Sequence, residues 1–593
     1  MRADAYSISI LIQNNIRYRI PIFQRRYVWK KEQWERFAED MDSLLDDNRT
    51  YFLGSLILKG EALDEEDNDN FIREKYIVID GQQRLTTLFI YMKLLLIKTG
   101  RIGDFAYAYC RNRQLNQPIL EHNSDDTAPF REVLRREIFG EINKPNSNIE
   151  EAHNFFVTHL RKKYGDDTEK IGRLCRTIEQ RVNFVGIKLE VGENNEQQIF
   201  DTINNLGVDL DTAELLKNFL FIHQEDEQRY RREGGWKSMF DSDDALKFWK
   251  RDTEKSRQNV KKENKNIEQF LNAYVRIKMY GDYKERFTEQ RRKTLAKLAN
   301  TYDACKDFVE VCGVSRQDLA DEIIEYARLF KEHFVMDKLD EPIESYHCIG
   351  RIIYIILATK KYSLVPYVLF LLKKVSDQKE LDMISKYLES YVVRRILADT
   401  TNTKDKSYSD LFGESLISQN IITAQGLKDY IGNRAVSNLK MPSAFEIRNG
   451  ITVRSAAVGE ETARLIYYLY DVSFNNENDL GYNDCLAVQL MPKSVVNTDW
   501  TACNTEVQEN TRKDRCKTFG NYFLIKEENN GNWKKARLKE AKIRHIYDCK
   551  GDFASNRILE DTNLKRPVND WTSDSINNRN KLLAKAFDIT WKI

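Results

Sequence analysis

Two polar runs near the start of the chain combine side chains that could hold and split a phosphate ester. One is Ile79-Asp80-Gly81-Gln82-Gln83-Arg84-Leu85-Thr86-Thr87. It falls where a short apolar stretch, Lys75–Asp80, gives way to a denser one from Arg84 to about Thr99. A strand that ends where a helix begins exposes unpaired N–H groups at the positive end of the helix dipole, which suits a phosphate. Gly81 lets the backbone approach a ligand with no Cβ in the way. Arg84 supplies a planar, permanently charged fork for phosphate oxygens. Asp80 could hold a divalent cation that bridges those oxygens. Gln82 or Gln83 could orient an attacking water, as a glutamine does in several GTPases. The other run, Ile20-Pro21-Ile22-Phe23-Gln24-Arg25-Arg26-Tyr27-Val28-Trp29, crowds a glutamine, two arginines and aromatics beside a proline. Five polar residues at a turn are also what a helix cap on an exposed surface would use; the second unusual run weakens that plainer account.

The elements around these runs read as α/β. Phe52–Leu58, Lys75–Asp80 and Val182–Val191 have the short apolar pattern of strands, and Arg84–Thr99 is dense enough for a buried helix. The acidic stretch 61–70 between two of the strands reads as a solvated loop. Two helices are predicted at about 196–205 and 212–222, separated by Gly207. Asp211 and Glu214 make a capping-box-like start for the second. From 225 to 440 the pattern is helical almost throughout, as in Leu319–Phe334 and Ile343–Ala358. Residues 251–300 carry 14 basic and 7 acidic side chains. Lys255, Arg257, Lys261 and Lys262, with Phe270, Tyr274, Tyr280, Tyr283 and Phe287 interleaved downstream, could track a phosphate backbone and stack bases. The reading preferred for that segment is a solvated amphipathic helix pair whose aromatics are core. From about 445 the chain mixes short strands with helices and is again locally basic.

The remaining composition narrows the class. With 593 residues, two to four domains are expected. A hydrophobic fraction of 41% excludes a mostly disordered chain. The formal charge of +1 says nothing about a nucleic-acid partner, so only local patches can. The first residues lack a basic-then-apolar signal design, and no apolar run approaches the roughly 20 residues that span a bilayer. Nine cysteines without a CxxC pair suit a reducing cytosol, so a cytoplasmic location and no membrane partner are expected. Cys485, Cys503, Cys516 and Cys549 match no common zinc-finger spacing and read as core residues.

IPIFQRRYVW, FLGSLIL, YIVIDGQQRLTTL and NEQQIFDTINNLGVDLDTAELLKNFLF (195–221) occur in this order across about the first 220 residues. In that order and spacing they resemble the ParB-like N-terminal domain of GmrSD-type restriction systems. The resemblance implies a domain that binds and hydrolyses a nucleoside triphosphate and helps to sense modified DNA. It places Phe23, Gln24, Arg25, Asp80, Gly81, Gln82, Gln83 and Arg84 in the nucleotide site, with Thr87, Asn204 and Lys217 as further contacts. Gln24, Asp80, Gln82, Gln83 and Arg84 carry the chemistry in this reading. Asp80 would hold a divalent cation, expected to be Mg2+. Phe23 stands where the family usually has Tyr, which removes one hydroxyl from the site. The Asn204-Asn205-Leu206-Gly207 run also has a plain reading as a helix stop with glycine in the left-handed position.

The same family commonly ends in a His-Me finger nuclease, and the tail resembles a degenerate one. Phe519–Ile525 matches its Gly-Asn run, Asn529–Lys535 follows, and Trp571–Trp591 resembles its closing helix. Pro492, Asn521 and Asn532 keep family positions, with Asn521 a candidate metal ligand. In Ala487-Val488-Gln489-Leu490-Met491-Pro492, however, Gln489 stands where the histidine belongs and Val488 where the acid belongs. An amide has no basic nitrogen near neutral pH and cannot take a proton from water. Losing a general base costs about 100- to 10,000-fold in rate. His545 could replace it from another element, though a lone histidine there more often packs.

The sequence is therefore read as α+β and predominantly helical. A ParB-like α/β domain (1–224) precedes a helical middle (225–444) and a small α+β His-Me-finger-like domain (445–593). The expected function is nucleotide hydrolysis (GTP, UTP or ATP) coupled to sensing of modified phage or foreign DNA. It would act with a second GmrSD-type subunit bearing an intact nuclease, or as a homo-oligomer. The alternative is a self-sufficient, nucleotide-dependent endonuclease with a nonstandard active site.

Overall fold

The computed structural model describes residues 2–13, 15–21, 24, 26–46, 49–63, 72–115, 117–122, 124–189, 212–221, 226–251, 266–344, 346, 348–398, 405–433, 439–453, 458–474, 479–494, 500, 505–536, 538–549, 551–558 and 571–592. The fold is α+β and mostly helical, with a mixed sheet near the N-terminus and a small second sheet. Contacts divide the chain into two units, Met1–Arg231 and Arg232–Ile593. Among the described residues no helix is long and apolar enough to cross a membrane.

The first unit is built on six strands: β1 (Arg2–Ser7), β2 (Ile16–Arg19), β3 (Tyr51–Gly60), β4 (Glu74–Asp80), β5 (Leu120–Glu121) and β6 (Val182–Leu189). Their order is β1-β6-β3-β4-β2-β5. β3 runs antiparallel to β4 and parallel to β6, and β2 runs parallel to β4. The helix expected at Arg84–Thr99 spans Gln82–Lys98 and is buried on nearly every side, from Leu85 to Leu96. Helices Ile102–Tyr109, Asn148–Tyr164 and Thr168–Arg181 surround it. Each fully buried Leu or Phe contributes about 1.5–3 kcal/mol, so this helix is the anchor of the unit. Its first turn is consequently a fixed platform at the end of β4. The helix starts two residues earlier than the apolar pattern suggests, because Gly81 takes the left-handed conformation at φ +94° and turns the chain at once.

In the second unit the helix expected from Ile343 begins only at Ile349. The preceding backbone bonds outward: the Ile343 N–H donates to the Tyr468 hydroxyl and the Glu344 carbonyl accepts from Arg351. Arg351 also forms a fully buried pair with Glu389 at 2.8 Å, inside the Gln378–Leu397 helix packing. Removing one partner of such a pair strands a buried charge at a cost of about 3–5 kcal/mol. Phe270, Tyr274, Tyr280 and Phe287 lie in the core and Tyr283 is half-buried, as the solvated-helix reading expects; they are not placed to stack bases. Lys255, Arg257, Lys261 and Lys262 lie outside the described residues. Strands β7 (Cys485–Gln489) and β8 (Tyr522–Lys526) pair antiparallel with Gln489 opposite Tyr522, and the Asn530–Lys535 helix follows.

Candidate functional site

The Asp80–Arg84 turn forms where β4 leaves the sheet beside β3. A Cβ on Gly81 would sit 2.8 Å from the Ser55 carbonyl oxygen, so at φ +94° only glycine fits there without strain. Across the turn, β3 is irregular between Phe52 and Gly54, and Gly54 has φ +121°. A Cβ on Gly54 would collide with the Arg84 guanidinium, which lies over that bare backbone. Two glycines, Gly81 just after β4 and Gly54 within β3, thus shape the floor of one site, the first for the turn and the second for the arginine.

Asp80 Oδ2 accepts a hydrogen bond from Ser55 Oγ at 2.8 Å and pairs with Arg84 at 3.2 Å. The side chains of Asp80 and Arg84 remain 35% and 24% exposed, so a ligand can reach both charges. They offset each other at rest. A ligand carrying both an anion for Arg84 and a cation for Asp80 would satisfy the two at once. The N-terminal run converges on the same turn, with Gln24 Nε2 donating to the Ile79 carbonyl at 2.8 Å.

Gln82 and Gln83 are both buried. Gln83 spans the gap to the N-terminal run: its Oε1 accepts from the Val28 N–H at 2.9 Å and its Nε2 donates to the Arg26 carbonyl at 3.1 Å. That clamp uses both ends of the amide. Thr87 is buried behind the turn, donating to the Gln83 carbonyl and bonding the Tyr27 hydroxyl at 2.7 Å. Trp34 donates to that hydroxyl at 2.9 Å. Lys217 is buried in the Thr212–Leu220 helix of the same unit. Phe23, Arg25, Asn204 and the helix expected at 196–205 lie outside the described residues.

Several residues at the site carry no obvious signal in the sequence. Ser55 and Gly54 sit inside a strand pattern, where a glycine hints only at a bulge. Asp126 accepts from the Tyr27 N–H at 2.6 Å, and burial pushes its carboxyl up to about 6. His122 lies 3.0 Å from Thr86 Oγ1, which itself donates to the Gln82 carbonyl. Burial pushes His122 down to about 3, so near neutral pH it is an uncharged ring that donates to Thr86. These groups back the first turn of the helix from the core side.

Sequence comparison bears on this geometry. Residues 8–221 match the GmrSD restriction endonuclease, N-terminal domain. The match lies within the first unit and contains the Gln24, Ser55 and Asp80–Arg84 cluster. No curated protein matches the chain.

Beyond the GmrSD-like segment, the second expected site is a bonded interior. Gln489 Nε2 donates to the Tyr522 hydroxyl at 2.7 Å, and Tyr522 donates to the Val458 carbonyl. Asn521 is fully buried; its Oδ1 accepts from the Met491 N–H at 2.9 Å and its Nδ2 donates to the Met491 carbonyl at 2.8 Å. It also donates to the Cys516 carbonyl at 3.1 Å. A metal ion does not fit an amide so enclosed. The Pro492 carbonyl accepts from Arg512 at 2.9 Å, and Asn532 is exposed on its short helix. His545 belongs to the Lys539–Asp548 helix, its ring packed near Trp533. Among the described residues no cluster of three His, Cys, Asp or Glu could hold a metal.

Proposed function

We propose that the first unit binds a nucleoside triphosphate with a divalent cation at the Asp80–Arg84 turn, hydrolyses it, and reports on modified DNA within a restriction system. The observation that supports this most is the Asp80–Arg84 pair itself, two accessible opposite charges on a helix N-terminal turn seated over Gly54. The GmrSD-like segment supports the restriction setting. Asp80 would hold the divalent cation, which would supply neutralisation of the charge that develops on the phosphate. Arg84 then binds the anionic oxygens, and Ser55 fixes the rotamer of Asp80. Gln83 holds the Arg26–Val28 segment against the turn and so positions Gln24 and its neighbours. Gln82, buried beside Gln83, is the amide this reading assigns to orienting a water.

Cleavage in this account belongs to a partner chain. Gln489 has no proton-accepting nitrogen, and its amide is already bonded to Tyr522 and Cys516. Steady-state hydrolysis of GTP, UTP and ATP by the purified chain, with and without glucosylated or methylated phage DNA, tests the proposal. Hydrolysis stimulated by modified DNA supports it; no hydrolysis of any of the three under either condition overturns it.

A further inference from the structure

Three lysines of the second unit line one cavity. Lys386 lies on the Gln378–Leu397 helix, Lys428 on the Ala424–Gly432 helix, and Lys592 just beyond the Ser573–Thr590 helix. All three line a cavity of about 190 Å³. None of them makes an ion pair or hydrogen bond with a described residue, whereas Lys373, Lys374 and Lys440 of the same unit are each ion-paired. Like charges brought together repel, so such a grouping is stabilised when an anion enters.

The floor of the cavity points the same way. Ser390 lines it and is only 1% exposed, yet its hydroxyl bonds to no described residue. A helical serine ordinarily returns its hydroxyl to the carbonyl four residues back, as Ser385 does to Leu381 in this same helix. A ligand oxygen in the cavity could bond that hydroxyl. Tyr387 and Met383 supply apolar surface beside it. Burial and the nearby Asp429 push the Tyr387 phenol up to about 12, so it stays neutral near pH 7. Two carboxylates stand nearby, Glu380 accepting the Ala424 N–H at 2.6 Å and Asp429 accepting from Gln425 at 2.7 Å, and neither pairs with the three lysines.

We propose that this cavity binds a small phosphate ester, its phosphate held by Lys386, Lys428 and Lys592 and its organic part set on Tyr387 and Met383 beside Ser390. The volume favours a compact molecule over a polymer backbone, which would need an open groove. The site is separate from the nucleotide reading of the first unit and does not depend on it.

The test uses the full chain carrying Arg84→Ala, so that the first unit's candidate site does not contribute. Phenyl phosphate is titrated by calorimetry, with phenol, inorganic phosphate and a short DNA duplex as parallel titrants. One saturable site for phenyl phosphate is expected, tighter than for inorganic phosphate and absent for phenol. The surface triple variant Lys386→Gln, Lys428→Gln, Lys592→Gln should weaken it by at least about tenfold, with an unchanged circular dichroism spectrum. Ser390→Val should weaken it further if the variant folds; the lysine variant decides the matter if it does not. No saturable binding, or equal affinity in the triple variant, overturns the proposal. Duplex DNA that loses affinity in the triple variant while phenyl phosphate never binds would make the lysines a DNA surface, and would overturn it as well.

Discussion

Gln83→Ala separates a clamp from a catalyst. In the folded chain the Gln83 amide makes two hydrogen bonds to backbone, one to the Val28 N–H and one to the Arg26 carbonyl. Each typically contributes about 0.5–1.5 kcal/mol net. Val28 is exposed, so water can reach the vacated groups and the larger penalty for stranded buried groups does not apply. The loss is therefore about 1–3 kcal/mol, confined to the segment that carries Gln24 toward the turn. Hydrogen exchange followed by mass spectrometry reads this locally. Peptides covering Arg26–Trp29 should exchange roughly 5- to 150-fold faster in the variant. Peptides from the Gln82–Lys98 helix centre should change little, since that helix is held by its own burial. Nucleotide binding should weaken along with the loosened segment. Unchanged exchange at Arg26–Trp29 together with lost hydrolysis would refute the clamp and make Gln83 a participant in the chemistry.

Three further outcomes follow from the same geometry. Gly81→Ala puts a Cβ 2.8 Å from the Ser55 carbonyl at φ +94° and should cost about 1–3 kcal/mol, lowering the melting temperature of the first unit by roughly 2–4 °C per kcal/mol in calorimetry. Burial pushes Asp471 up to about 7, above its ordinary 3.8, despite hydrogen bonds from Ser555. The folded state thus holds an extra proton between those values, and this stabilisation is full at acidic pH and lost as pH rises through about 7. Melts of the second unit from pH 5 to 8 should show that loss, and Asp471→Asn should flatten it. Finally, the chain alone should not cut plasmid or phage DNA with magnesium, manganese or calcium and nucleotide. Gln489→His should not restore cutting, because Asn521 remains tied to Met491; robust cleavage abolished by Asn521→Ala would contradict this.

Much of the first unit was legible before any coordinates. β4 and the helix after it announce themselves by apolar density, and the motif between them falls at their junction as the pattern suggests. The convergence of Gln24 on Ile79 is a contact across 55 positions and could only be guessed from the crowding of unusual residues. Ser55 and Gly54 were hidden because a strand pattern records which face is apolar, not where a bulge turns one residue toward a neighbour's side chain. His122 and Asp126 lie in a polar stretch with no periodicity, and polarity alone reads as surface, whereas the side chains of both are buried behind Thr86 and Tyr27. In the C-terminal stretch, the runs around Gln489 and Tyr522 stand out only by their resemblance to the family, while the full engagement of Asn521 depends on a tertiary fit to Met491 that no local pattern encodes.

Arg84 and Asp80 are proposed to meet a nucleotide with its cation, and equilibrium binding tests that most directly. A fluorescent nucleoside triphosphate analogue titrated into the wild-type chain with magnesium should bind saturably. Arg84→Ala removes a charge-assisted contact of about 1.5–3 kcal/mol and should weaken binding roughly 10- to 150-fold. Withholding magnesium should weaken the wild type but matter much less for Asp80→Asn. Equal affinity in wild type and Arg84→Ala would contradict the assignment of the turn as the phosphate site.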